Sequence, residues 1–219
     1  MKFSDQKLIL FDFDGVIVDS LEVYEAVVRQ CFERVGRPII RSRGDFLALY
    51  HDNFYREVES RGIDINDFMA ALAEIRPQID TSLIQPYQMM ASVLLELAER
   101  HRLILISSNH EETIQILLTR MNVLGCFEII LGSNSLLNKT EKIIHAWNQS
   151  GVAKDQVYYI GDTTGDILEA RRAGVRTVAV TWGWHNRETL KAVEPDFLID
   201  TAHALLDLFQ REASFYDGC

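Results

Sequence analysis

Cysteine is scarce in this chain of 219 residues, and the three present, Cys31, Cys126 and Cys219, stand far apart. They form no metal-spaced pair and no disulfide framework, which points to a reducing compartment. Positive charge is in short supply too. With 22 Lys and Arg against 32 Asp and Glu the formal net charge is −10, so neither nucleic acid nor an anionic membrane is an expected partner. A local group of cations, or a metal, can still reverse the field inside a cleft, so anionic substrates remain open. No apolar run approaches the roughly 18 residues needed to span a bilayer. The opening residues, Met1 to Gln6, lack the apolar stretch of a secretory signal. Repeats and low-complexity segments are missing as well. What is left is a soluble, cytoplasmic globular protein, monomer or homodimer, long enough for one large domain or a core with a smaller insert.

The chain is organised around residues 7–20. The apolar run Leu8 to Phe11 reads as a short strand buried on both faces, as in a parallel sheet. It ends in two carboxylates, Asp12 and Asp14, and then Gly15. Burying such a pair just past a core strand is costly unless something cationic accompanies it.

From Leu21 to about Val35 the apolar residues recur at helical steps, until Gly36 and Pro38 stop them. A second helix is expected to contain Phe46, Leu47, Leu49, Tyr50 and Phe54, and a third to start near Asn66. No strand-like alternation occurs between residues 20 and 80, which marks an all-helical insert. After Pro86 strands alternate with helices: strands at 103–106, 127–131, 157–160 and 177–180, and helices at 89–100, 111–121, 140–149, 167–173 and 205–211. That order means βαβ units and a parallel sheet covered on both faces. In such sheets ligands sit outside the carboxyl ends of the strands. The polar groups fall at those ends: Asp12 and Asp14, then Ser107, Ser108 and Asn109, then Asp162 and Asp166.

Four carboxylates at one sheet edge repel unless a divalent cation joins them, and oxygen-only donors suit Mg2+. A hydroxyl from Ser107 and backbone N–H groups at the start of the next helix can hold an anion. Lys139, at an expected helix start, adds positive charge, with Lys142 nearby as a second candidate. Acids, metal, hydroxyl and lysine together describe phosphoryl transfer.

The stretch Asp12-Phe-Asp-Gly-Val-Ile-Val-Asp-Ser20 resembles the first motif of the haloacid dehalogenase superfamily. Ser107 resembles its second motif, Lys139 its third and Gly161-Asp-Thr-Thr-Gly-Asp166 its fourth, while Arg171 to Val175 and Thr181 to Trp184 are similar to the phosphoglycolate phosphatase-like branch. Two departures stand out. Thr140 follows the lysine where the family usually has proline, and the second motif reads Ser107-Ser108-Asn109, so Ser108 competes with Ser107 as its hydroxyl. The segment Gln85-Pro-Tyr-Gln also lacks a glycine often found there.

The resemblance implies an α/β fold, a Rossmann-like core formed by residues 1–18 and 82–219 with a helical cap at 19–81. It implies Asp12 as nucleophile, Asp14 as acid and base, and Mg2+ held by Asp12, Asp14, Asp162 and Asp166. Ser107, Ser108, Asn109 and Lys139 would bind the phosphoryl group. The implied activity is Mg2+-dependent hydrolysis of a small phosphorylated metabolite, phosphoglycolate first and sugar phosphates next. A phosphomutase, a phospho-accepting signalling domain and a silent binding module are the alternatives. Other conspicuous residues have plainer expected roles. Asp19 and Ser20 would cap the first helix; Arg41, Arg43, His51, His110 and His185 would be surface or satisfied core; Trp182 and Trp184 would pack. Phe46, Tyr50, Phe54 and Tyr55 would form the interior of the insert.

Overall fold

The structure, a computed structural model, describes residues 6–135 and 138–214, with side chains as far as Gln210. Cys219 lies outside the described residues. Leu8–Phe11 (β1) has no exposed side chain, because both faces and both edges of the strand are covered. The chain then turns through Val18–Asp19 (β2) into four helical segments: Leu21–Arg34 (α1), Arg43–Leu47 (α2), Phe54–Ser60 (α3) and Ile65–Ile75 (α4). Gln85–Pro86 (β3) returns antiparallel to β2, a two-residue ribbon that ties the exit of the insert to its entrance. Met90–Ala98 (α5), Arg102–Ile106 (β4), Glu111–Arg120 (α6) and Phe127–Leu131 (β5) follow. Lys139–Ser150 (α7), Val157–Gly161 (β6), Thr164–Ala173 (α8) and Arg176–Val180 (β7) complete the central layers. Arg187–Lys191 (α9), Phe197–Ile199 (β8) and His203–Ser214 (α10) close the fold.

The six-stranded sheet has the order β5-β4-β1-β6-β7-β8 and every pair is parallel. Strand order therefore reverses at β1, and its carboxyl end is the switch point where an α/β sheet opens a crevice. One sheet face buries Ile9 and Phe11 with Leu94, Leu117 and Phe209; the other buries Leu8 and Leu10 with Ile143 and Ala170.

The insert gathers its own apolar cluster. Phe32, Phe46 and Phe68 are fully buried there, each contributing roughly 1.5–3 kcal/mol. The expected second helix is broken: α2 runs into a 3-10 turn at Ala48–Tyr50, and a new helix starts at Phe54. The cause is Asn53, whose side chain accepts from the Arg56 N–H at 3.2 Å and so caps a separate helix. Ser20 occupies the N-cap position of α1 but makes no side-chain cap bond, and Asp19 is in β2, so the expected capping pair is not formed. Strands β2, β3 and β8 and helix α9 were not expected from the sequence.

The insert docks on the start of α8 through its main chain. Thr164 Oγ1 donates to the His51 carbonyl at 2.9 Å, and His185 bridges the two parts, accepting from Thr164 N at 3.0 Å and reaching the Leu47 carbonyl at 3.1 Å. Asn53 Nδ2 donates to Glu169 at 2.9 Å, and Arg172 grips Asp52 with two bonds of 2.6 Å. Gly165 leaves room for this approach, since a Cβ there would overlap the Asp52 carbonyl.

Two outcomes follow from this packing. Gly165→Ala favours helix α8 by intrinsic propensity yet pushes the insert off its seat, so turnover should fall by about a hundredfold, the scale of a 1 Å misplacement, while thermal unfolding stays cooperative. Unchanged turnover would show that the contact is dispensable. His101 accepts from the Lys7 N–H at 3.4 Å, and burial, with Lys7 and Arg100 nearby, depresses its pKa from 6.5 to about 4. The native ring is neutral and the unfolded chain takes up the proton first, so stability should fall as pH drops from about 6.5 to about 4. Denaturant midpoints of wild type and His101→Gln should converge across that window; a constant gap would refute it.

Candidate active site

Asp12 leaves β1 with its N–H bonded to Ile160 O at 2.9 Å, so the adjacent strands β1 and β6 aim their ends at one point. The chain then turns tightly: the N–H groups of Ile17 and Val18 donate to Phe13 O, and Gly15 N donates to Val18 O at 2.9 Å. Gly15 has φ +80°, and a Cβ there would run into the Asp162 carboxylate. Only glycine meets both demands.

From β6 the chain delivers Asp162 and, one helical turn later, Asp166. Asp166 belongs to a capping box in which its carboxylate accepts from Thr163 N and Oγ1 at 3.1 and 2.7 Å. Asp162 Oδ2 accepts from Trp184 N at 2.7 Å, while Oδ1 is buried without a partner among the described residues. Lys139 opens α7, whose N-cap Asn138 forms a capping box with Glu141. Its Nζ donates to Asp12 at 2.8 Å and to Asp166 at 2.5 Å.

One cation does not balance these acids. Burial pushes the Asp12 carboxyl up to about 7 against the pull of Lys139, with Asp166 repelling. Asp14 rises to about 6, again through burial, which the nearby Ser20 hydroxyl and the hydrogen bond from Asn109 only partly offset. Burial, then repulsion by Asp166 and Asp12, carries Asp162 well above the usual carboxylate range. Burial also acts upward on Asp166, but Lys139 outweighs it and keeps that carboxyl below the usual range. Carboxylate oxygens of Asp12, Asp162 and Asp166 lie within 4.8 Å of one another. Asp14 Oδ1, like Asp162 Oδ1, is buried without a partner among the described residues. Hard oxygen donors, excess negative charge and unsatisfied lone pairs fit a divalent cation of the Mg2+ type.

The end of β4 supplies the third side of the site. Ser107 is buried and its Oγ accepts from Asn109 N at 2.9 Å; Ser108 is exposed to the cavity. Asn109 Nδ2 donates to Asp14 at 3.2 Å and to the Tyr24 hydroxyl at 2.5 Å. Lys142, the second lysine candidate, does not reach the acids but donates to Ser107 O at 2.8 Å. Burial, with Lys139 repelling, lowers its pKa to about 8. Asp12, Asp14, Ser107, Ser108, Asn109, Lys139, Asp162 and Asp166 all line one cavity of about 180 Å³.

The remaining conspicuous residues divide. Arg43 is tied to Glu22 and Glu25 and, like Arg41, is exposed away from the cavity wall. His185 is a satisfied core residue, kept neutral as burial lowers its pKa. Trp182 packs with its indole N–H on Val16 O at 3.1 Å. His110 and Trp184 do line the cavity, as do Tyr50, Phe54 and Tyr55, which the sequence placed in the interior of the insert. Tyr24, Met69, Leu72 and Arg76 line it as well, and the sequence offered no hint of them. Helical spacing is the same for a residue facing a core and for one facing a cavity within it.

Comparison with known proteins places this arrangement. The family described as haloacid dehalogenase-like hydrolase matches residues 9–180. A phosphoglycolate phosphatase of Synechococcus elongatus is 30% identical over 201 residues, covering 90% of this chain and 94% of the relative. A probable phosphatase of Dickeya dadantii, IndB, is 27% identical over 235 residues, covering 95% and 98%. The crystal structure of a predicted phosphatase from Clostridium acetobutylicum superposes with a TM-score of 0.81 at 18% identity, covering 95% of this chain and all of that one. Among the described residues no helix is long and apolar enough to cross a membrane. With a matching profile over most of its length and a parallel sheet whose strand ends converge on the matched acids, the chain belongs to the haloacid dehalogenase-like hydrolase family, in its phosphoglycolate phosphatase-like branch.

Proposed function

We propose that this protein is a Mg2+-dependent phosphatase that hydrolyses a small phosphate monoester through an aspartyl-phosphate on Asp12, working in the cytoplasm. The observation that carries this reading is the Lys139 ammonium set between Asp12 and Asp166, at 2.8 and 2.5 Å, on the wall of a cavity next to two orphaned carboxylate oxygens. The relatives' names support the reaction class, and that of the Synechococcus elongatus protein names phosphoglycolate.

In this reading the Asp12 carboxylate oxygen forms a bond to phosphorus as the ester oxygen leaves, and Asp14 gives its proton to that oxygen. Water then attacks the phosphorus of the acyl phosphate while Asp14 takes a proton from that water; the bond between Asp12 and phosphorus breaks, and inorganic phosphate departs with Asp12 restored. Lys139 pulls the Asp12 carboxyl toward its ionised form against burial and offers charge to the phosphoryl oxygens. Ser107, Ser108 and Asn109 provide hydroxyl and amide donors on the opposite side. Asn109, bonded to Asp14 at 3.2 Å, fixes the orientation of the acid. A divalent cation held by Asp12, the Asp14 carbonyl, Asp162 and Asp166 would neutralise the carboxylates and the transferring phosphoryl group. The insert seated on α8 excludes bulk water from the acyl phosphate.

Phosphate release from a panel of small esters tests this. Asp12→Asn should lower kcat by more than about a thousandfold, the scale seen when a nucleophile is removed. Asp14→Asn should cost about 100- to 10,000-fold, the usual worth of a general acid. Turnover surviving Asp12→Asn would sink the covalent route. Asp162→Asn separates the metal site from the chemistry. It removes a repelled buried carboxyl, so the melting temperature in chelator should rise, while the increment gained on adding Mg2+, about 2.7 kcal/mol at a hundredfold excess over Kd, should vanish. A retained Mg2+ increment would place the cation elsewhere.

A further inference from the structure

We infer that the ester this enzyme takes carries a compact, uncharged, apolar alcohol rather than a short acid such as glycolate. The inference rests on the phosphatase reading and concerns the leaving-group half of the same cavity. The cavity has two kinds of wall. Around Asp12 and Lys139 it is polar; beyond them Val28, Phe54, Phe68, Met69 and Leu72 face it from α1, α3 and α4. These residues belong to or pack against the apolar cluster of the insert, so the cavity opens into a hydrophobic interior.

The groups standing between the two walls are hydrogen-bonding but uncharged. The Tyr24 hydroxyl is bonded to Asn109 at 2.5 Å. Burial raises the pKa of the Tyr50 hydroxyl well above the usual tyrosine range, so it stays neutral. Tyr55 lies close to the Ser108 hydroxyl and is likewise pushed up by burial. The Trp184 indole N–H is buried without a partner among the described residues.

The carboxylate of a glycolate ester sits two bonds from the ester oxygen, so it must find its cation beside the phosphoryl site. The two lysines there already have partners. Lys139 is held by Asp12 and Asp166, and Lys142 by Ser107 O. Arg76 lines the cavity but is solvent-exposed. A second anion next to Asp12, Asp14 and Asp162 would therefore be desolvated against acids and phenols. An apolar body gains instead from leaving water. A cavity of about 180 Å³ compares with roughly 150 Å³ for an apolar protein cavity that accepts benzene. The space suits the phosphoryl group with a short branched chain or one ring partly emerging at the mouth.

The test compares alkyl esters of similar intrinsic reactivity, with Mg2+ present: ethyl, isobutyl and benzyl phosphate against 2-phosphoglycolate. Isobutyl and benzyl phosphate should exceed 2-phosphoglycolate in kcat/KM by at least about tenfold, which roughly two buried methylene groups suffice to supply, mainly through lower KM. A kcat/KM for 2-phosphoglycolate equal to or above theirs overturns the inference and leaves the phosphatase reading intact. Absence of turnover on all four esters overturns both. Met69→Arg, at a half-buried wall position, should reverse the ranking by raising KM for benzyl phosphate and lowering it for 2-phosphoglycolate. Leu72→Arg provides the same reversal should Met69→Arg fail to fold. An unchanged ranking in a folded variant would show that this wall does not touch the alcohol.

Discussion

The Lys139 ammonium, shared by Asp12 and Asp166, is the contact on which the rest of the site depends. It joins the ends of β1 and β6 through the first residue of α7. Without it, acids from two turns would meet at one edge with no protein cation bonded to them among the described residues. With it, one of them, Asp166, is held ionised while Asp12, Asp14 and Asp162 stay lifted by burial. The site is thus left short of positive charge by its own construction. That shortage fits the site to a divalent cation.

The fold serves this charge arrangement. A parallel sheet whose order reverses at β1 brings strand ends from β1, β4 and β6 together, and capping boxes at the starts of α7 and α8 fix Lys139 and Asp166 within the first turn of each helix. Gly15 lets two carboxylate-bearing loops approach more closely than any side chain would permit. The insert adds the missing half of the enclosure, with a wall different in character from the floor.

Much of this was legible in the sequence. Strands buried on both faces leave apolar runs, and β1, β4, β6 and β7 each ended close to their expected limits. The acids stood out because nothing in a core strand explains them. What escaped has physical reasons. β2 and β3 are two residues each and β8 three, too short for a period to register. The break before Phe54 depends on Asn53 turning its side chain back on the main chain, which a run of aromatics at helical spacing conceals. Tyr50, Phe54 and Tyr55 were read as interior because a helix facing a filled core and one facing a hollow core have the same pattern. The choice between Ser107 and Ser108 was open for a related reason: adjacent serines at a strand end alternate between a buried and an exposed face, and only the position of the neighbouring strand decides which.

The seat of the insert on α8 uses main-chain carbonyls at Leu47, Tyr50, His51 and Asp52, met by Thr164, Gly165 and His185. Backbone oxygens are present whatever the residue. The side chains of Tyr50, Phe54 and Tyr55 therefore point to the cavity from a segment whose attachment does not depend on their identity. Docking and substrate choice are separable in this architecture. Substitutions that reshape the wall can accumulate without loosening the closure, so a lineage built on this plan can exchange one alcohol for another while its phosphoryl chemistry stays untouched.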